Sequence, residues 1–77
     1  MKRGLRSVIT YKVIHGVFDT PLANRFKDSC MARSICEMRE NGMLLDDIGK
    51  RYGISPTKCS NIIRKAVLLY SIYGEEA

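Results

Sequence analysis

The side chains best suited to recognition chemistry lie close together in the last third of the chain. If a helix begins at Pro56, its polar face consists of Thr57, Asn61 and Arg64, and Lys58 and Ser60 flank that face. An asparagine amide can form two hydrogen bonds with adenine, and an arginine guanidinium can form two with guanine. We therefore expect this face to contact base edges in double-stranded DNA.

The sequence lacks the residue patterns that are typical of catalysis. It has no HExxH sequence, no glycine-rich phosphate loop and no nucleophile with a neighbouring base. Asp46 and Asp47 are adjacent at a predicted helix start, so their carboxylates do not converge on one site. The chain is expected to bind without catalysing a reaction, and to need no cofactor.

A metal site is also not expected. The candidate soft ligands are Cys30, Cys36, Cys59 and His15, and their spacing matches no zinc pattern. Cys59 is accounted for as a small core residue, and His15, between apolar neighbours, is expected to be partly buried. An odd number of cysteines without a CxxC sequence favours a reducing compartment. We therefore predict a cytoplasmic protein.

Two helices joined by a sharp turn are predicted to position the polar face. Ile48 and Tyr52 share one side of a helix over residues 45–53, and Gly49 lies beside them, where a missing side chain allows another helix to approach. Gly53 can adopt the positive φ that such a turn requires. Ser55 followed by Pro56 is typical of a helix start, and the second helix is predicted over residues 56–73.

This second helix should bury one stripe and leave its distal half in need of cover. The predicted core stripe is Cys59, Ile62, Ile63, Ala66, Val67 and Tyr70. Beyond Arg64 the helix becomes apolar all round, so residues 7–18 or another subunit should cover it. The predicted dimer or partner contact consists of Leu68, Leu69, Ile72 and Tyr73, extended by Tyr11 and Val13.

The preceding residues are predicted to support this pair of helices. Residues 7–18 fit either a helix or a strand, and a helix is favoured. Residues 21–41 are predicted to form supporting helices, which begin with a Thr20 cap, break near Asp28 and stop at Gly42. The expected fold is all-α: one small bundle of three to five helices over residues 1–77, with an extended N-terminal segment as the alternative for the start of the chain.

Positive charge is unevenly distributed along the chain, whose net charge is +5. Residues 1–27 carry a net charge of +5, residues 28–47 carry −3 and residues 48–77 carry +3. The basic excess therefore coincides with a short arm at residues 1–6 and with the polar face, as a phosphate backbone would require. The predicted phosphate contacts are Lys2, Arg3, Arg6, Lys50, Arg51 and Lys65.

Residues 48–64 resemble the helix-turn-helix of the homeodomain-like kind found in resolvases, transposases and sigma-factor promoter-reading domains. Those families tend to show the pattern I-A-x-x-x-G-I-S-x-x-x-V-x-x-I-x-R. The corresponding residues here are Ile48-Gly49, Gly53-Ile54-Ser55, Cys59, Ile62 or Ile63, and Arg64. Gly49 replaces the usual alanine, which should loosen the first helix, and Leu44 stands where a Ser or Thr cap is common. The resemblance implies a DNA-binding module.

These observations predict a sequence-specific DNA-binding protein, a small transcriptional regulator of a phage or mobile element. A homodimer that reads two half-sites about 34 Å apart is the expected architecture. The alternative is a protein-interaction module that binds RNA polymerase or another regulator through the apolar end of its last helix. No apolar run is long enough to span a membrane, so no membrane partner is expected.

Overall fold

The computed structural model describes residues 9–73, and the predicted all-α fold class is confirmed for them. The elements are α1 (Tyr11–Phe18), a 3-10 segment (Pro21–Arg25), α2 (Ser29–Glu40), α3 (Leu45–Tyr52) and α4 (Pro56–Tyr73). The predicted basic arm at residues 1–6 and the residues that follow Tyr73 lie outside the described part of the chain.

The ambiguous N-terminal segment is helical from Tyr11 to Phe18, as favoured from the sequence. Thr10 begins this helix, and its hydroxyl accepts a hydrogen bond of 3.3 Å from the Val13 amide. The buried side chains recur with a helical period and are Val13, Ile14, Val17 and Phe18. Ile9 and Thr10 precede the helix, whereas Ser7 and Val8 of the predicted segment lie outside the described residues.

The supporting segment is divided as predicted, into a 3-10 segment and α2. Thr20 caps the 3-10 segment, and Pro21 takes its first position. The chain then leaves the helical conformation at Phe26, whose ring is buried, and Asp28 starts α2 by accepting a hydrogen bond of 3.0 Å from the Met31 amide. α2 ends at Glu40, and Gly42 follows with a φ of 96°.

The turn between α3 and α4 has the predicted backbone. Gly53 ends α3 in the left-handed conformation, with a φ of 70°. The Ser55 hydroxyl accepts a hydrogen bond of 3.1 Å from the Lys58 amide, so it caps α4 as expected. Leu44 gives α3 no side-chain cap, also as expected.

Gly49 allows a close approach, as its missing side chain predicts, and the group that approaches it is the turn at the start of α4. The Ile54 amide donates a hydrogen bond of 2.9 Å to the Gly49 carbonyl, which holds the turn against α3. A Cβ atom at Gly49 would lie 2.5 Å from the Ile54 carbonyl oxygen and 3.5 Å from the Pro56 nitrogen. The missing side chain thus allows the turn, together with the start of α4, to lie directly on α3.

One hydrophobic core joins the elements, and α4 packs against α1, α2 and α3. The fully buried side chains of this core include Ile14, Val17, Ile35, Cys36, Ile48 and Cys59. Between residues 9 and 73 no polar or charged side chain is buried. Over the same residues, every helix is too short or too polar to cross a membrane.

Replacing Gly49 with alanine is expected to destabilise the fold. Overpacking against the Ile54 carbonyl costs about 1–3 kcal/mol. Higher helix propensity recovers up to about 1 kcal/mol. The free energy of unfolding in urea should therefore fall by up to about 3 kcal/mol.

The matched control is Lys50→Ala, at an exposed position on the same helix. It should change stability by less than about 0.5 kcal/mol. A Gly49→Ala variant more stable than the parent protein would contradict the close contact.

Candidate nucleic-acid interface

The predicted base-contacting side chains lie on the first half of α4. Thr57, Asn61 and Arg64 are exposed along one line of the helix, and Lys58 is exposed beside them. Ser60 is only half-buried and lies between this line and the core. The structure thus places all five predicted residues on α4, with four of them facing solvent.

The polar line is exposed because the opposite side of α4 packs in the core. Cys59, Ile63 and Ala66 are almost completely buried there, and α1, α2 and α3 all contact α4. Along the exposed line, Arg64 and Lys58 form no ion pair with any residue between 9 and 73. Their charges are therefore available to an anionic partner.

The predicted phosphate-contacting residues differ in their surroundings. Lys50 and Arg51 are exposed in the last turn of α3, just before the turn that leads into α4. The Lys65 ammonium instead donates a hydrogen bond of 2.6 Å to the Arg25 carbonyl and lies 5.0 Å from the centroid of the Phe26 ring. Lys65 is thus already held within the chain. The predicted contacts Lys2, Arg3 and Arg6 lie outside the described residues.

An apolar patch continues the exposed line of α4 towards its C-terminal end. Leu68 is 58% exposed and Ile72 50% exposed, and Tyr73 is exposed beside them. The centroid of the Tyr73 ring also lies 5.4 Å from the guanidinium carbon of Arg25. We call Leu68, Ile72 and Tyr73 the apolar patch.

Two residues predicted to lie in this contact do not. Leu69 follows Ala66 by three positions, so both side chains point to the core, and Leu69 is 7% exposed. Val13 is buried with equal completeness on α1. The prediction of a contact role is wrong for both, because the molecule's own core already covers them.

Tyr11, the other residue predicted to extend this contact, lies on α1. Tyr11 is exposed, but its hydroxyl donates a hydrogen bond of 2.9 Å to the Asn41 side chain at the end of α2. Cover for α4 comes partly from α1, since a Cβ atom at Gly16 would lie 2.6 Å from the Tyr70 ring. The apolar patch remains open after α1 has docked.

A group of paired charges ties α1 to α2. Arg33 donates hydrogen bonds of 2.7 Å to Asp19 and 3.1 Å to Glu37. His15 Nδ1 lies 2.7 Å from Asp19 Oδ2, and the His15 side chain is 57% exposed, so the prediction of a partly buried histidine is wrong. Hydrogen bonds with His15 and Arg33 lower the pKa of the Asp19 carboxyl.

The cysteines lie in contrasting environments. Burial raises the pKa of the Cys36 thiol to about 12 and also raises the pKa of Cys59, whereas Cys30 is exposed at the start of α2. Within residues 9–73, no three histidine, cysteine or acidic side chains come together as a group that could hold a metal ion.

Comparison with known proteins adds no family to this description. No protein-family model matches the chain, and no curated protein or solved structure matches it either. The fold and the surface therefore define only the class, a small all-α bundle with an exposed polar helix face.

Thiol labelling at pH 8 is expected to distinguish the three cysteines. The thiolate is the reactive form, and burial at Cys36 and Cys59 suppresses both ionisation and access. A disulfide reagent should modify Cys30 rapidly in the native protein and the other two only after denaturation, as followed by absorbance. Cys30→Ser should remove the rapid phase and Cys59→Ser should retain it. Rapid modification of all three native thiols would contradict the buried positions.

Proposed function

We propose that this protein binds double-stranded DNA sequence-specifically, as a small transcriptional regulator, with α4 in the major groove. The observation that carries the proposal is the line of Thr57, Asn61 and Arg64, exposed on the helix that follows the tight turn. A major groove about 12 Å wide admits one α-helix. The buried opposite side of α4 leaves only this line to face the bases.

Asn61 and Arg64 would provide most of the base discrimination. The Asn61 amide suits adenine and the Arg64 guanidinium suits guanine, each bidentate pair contributing about 1–3 kcal/mol of discrimination. Thr57 and Lys58, nearer the N-terminal end of α4, would contact neighbouring bases. Ser60 is a weaker candidate for a base contact because it is half-buried.

Phosphate contacts would position α4 in the groove. Lys50 and Arg51 are exposed at the end of α3, adjacent in sequence to the turn that leads into the recognition helix. One N–H of Lys65 is already donated to the Arg25 carbonyl, which leaves two donors for a phosphate, so its contribution should be smaller. The basic arm with Lys2, Arg3 and Arg6 is proposed as a further contact to the backbone or minor groove.

The resemblance to homeodomain-like helix-turn-helix modules supports this assignment. The left-handed Gly53, the Ser55 cap and the close approach at Gly49 give α3 and α4 the short rigid connection that such a module needs. That connection holds α4 in one orientation while its polar line stays exposed.

A homodimer is the proposed architecture, with the apolar patch as its contact. A single small module makes few base contacts, whereas a dimer reads two half-sites about 34 Å apart. The exposed Leu68 and Ile72 also fit the alternative, in which the protein binds RNA polymerase or another regulator through the same patch. Both proposals account for apolar side chains that residues 9–73 leave exposed.

DNA binding should fall steeply with salt and depend on the face of α4. On a site selected from random duplexes, Arg64→Ala and Asn61→Ala should each weaken binding by about 5–150-fold, which corresponds to 1–3 kcal/mol. Lys50→Ala should weaken binding to all sequences and make the negative slope of log affinity against log salt shallower by about 0.9. Fluorescence anisotropy with labelled duplexes measures all three.

Lys12→Ala is the matched control, since it removes one charge from an exposed position on α1. It should leave sequence discrimination unchanged. Two results would contradict the proposal: absence of binding at low salt, or a loss of discrimination in Lys12→Ala as large as that in Arg64→Ala.

Leu68→Glu should separate the two roles proposed for the apolar patch. It places a charge in the patch without touching the core, because Leu68 is mostly exposed. Sedimentation should show a dimer for the parent protein and a monomer for the variant, with binding to an isolated half-site retained. A parent protein that stays monomeric at high concentration would rule out the dimer and leave the partner alternative.

A further inference from the structure

A groove of about 370 Å³ lies between the start of α2 and the first half of α4. We call it the α2–α4 groove. Its lining comes from two segments far apart in sequence, and its residues are Phe26, Lys27, Asp28, Met31, Ala32, Lys58, Asn61, Ile62 and Lys65. This volume lies within the range of about 300–1,000 Å³ that is usual for small-molecule sites.

The floor of the groove is apolar. Phe26 and Ala32 are buried in the core beneath it, and Met31 and Ile62 are half-buried at its walls. Met31 and Ile62 keep part of their apolar surface exposed at the groove. A ligand with an apolar body could therefore remove that surface from water.

The rim of the groove is strongly basic. Lys27, Lys58 and Lys65 line it, against a single carboxylate, Asp28. One Asp28 oxygen already accepts the Met31 amide as the cap of α2. None of the three lysines forms an ion pair with another residue of the described chain. The rim therefore complements a negative charge.

Lys65 is held in place at this rim. Its ammonium donates one hydrogen bond to the Arg25 carbonyl and lies over the Phe26 ring. A lysine ammonium has three N–H donors, so two remain for a second acceptor. Holding the ammonium in position lowers the entropy cost of binding an anion there.

We propose that the α2–α4 groove binds a small organic anion, an aliphatic or aromatic carboxylate. The apolar body lies on Met31 and Ile62, and the carboxylate lies between Lys58 and Lys65. Charge-assisted hydrogen bonds select an anion over a neutral or cationic molecule with the same body.

Such a ligand would also regulate the proposed DNA-binding face. The groove shares Lys58 and Asn61 with that face, so a bound carboxylate would compete with DNA. This second step rests on the proposed function, whereas the binding of the carboxylate does not.

Octanoate is a suitable probe, compared with acetate and octylammonium. Acetate has the same head group without the body, and octylammonium has the same body with the opposite charge. In ¹⁵N-labelled protein without DNA, octanoate should cause saturable shifts at the amides of Met31, Ala32, Ile62 and Lys65. Acetate and octylammonium should bind at least about tenfold more weakly.

Two variants test the two parts of the groove. Lys58→Glu reverses a rim charge and Met31→Gln makes one wall of the groove polar, and each should weaken octanoate binding about tenfold or more. Lys12→Glu, on α1, makes the same charge change as Lys58→Glu and should leave octanoate binding unchanged. The native amide spectrum of each variant shows that it is folded.

Three outcomes would overturn the assignment: equal binding of octanoate and octylammonium, octanoate shifts centred on the apolar patch, or shifts of the groove residues with duplex DNA but not with octanoate. The proposed competition between the carboxylate and DNA is tested separately. Octanoate that binds the groove without displacing a bound duplex would uphold the carboxylate site and contradict the competition. DNA binding without any octanoate binding would overturn the groove assignment and leave the proposed function standing.

Discussion

The close contact between Gly49 and the turn is the constraint on which the rest of the structure depends. With no side chain at Gly49, the Ile54 carbonyl lies directly on α3, and the Ile54 amide hydrogen-bonds the Gly49 carbonyl. Gly53 reverses the chain in the left-handed conformation, and Ser55 starts α4 two residues later. The orientation of α4 relative to α3 follows from these backbone contacts.

In this orientation, the two sides of α4 lie in different surroundings. One side enters the common core of α1, α2 and α3, and the other remains in solvent. The exposed side is polar around Asn61 and Arg64 and apolar around Leu68 and Ile72. A single helix therefore presents a polar surface and an apolar surface to solvent.

The sequence predicts most helix boundaries because their signals are local. Thr20 with Pro21, and Ser55 with Pro56, each combine a hydroxyl cap with a proline at the first helical position. The spacing of Thr57, Asn61 and Arg64 also predicts one exposed line, since the apolar stripe opposite them is clear. Such features need only a few neighbouring residues to be recognised.

Features that depend on distant residues could not be predicted in the same way. Leu69 sits where the helix is apolar all round, so periodicity does not show which side is covered until α1 has docked. Asp19, which contacts His15, also pairs with Arg33 on α2, fourteen residues later in the chain. Lys65 reaches back to the Arg25 carbonyl, and the α2–α4 groove joins residues 26–32 with residues 58–65.

Mapping the surface that DNA covers tests the central claim most directly. A short duplex added at low salt to ¹⁵N-labelled protein should shift the amides of residues 57–64, the Asn61 side-chain amide and the Arg64 Nε–H group. The backbone of α2 from Arg33 to Glu40 should be unaffected. Shifts centred on α2, or a spectrum unchanged by DNA, would contradict the account of α4 as a DNA-reading helix.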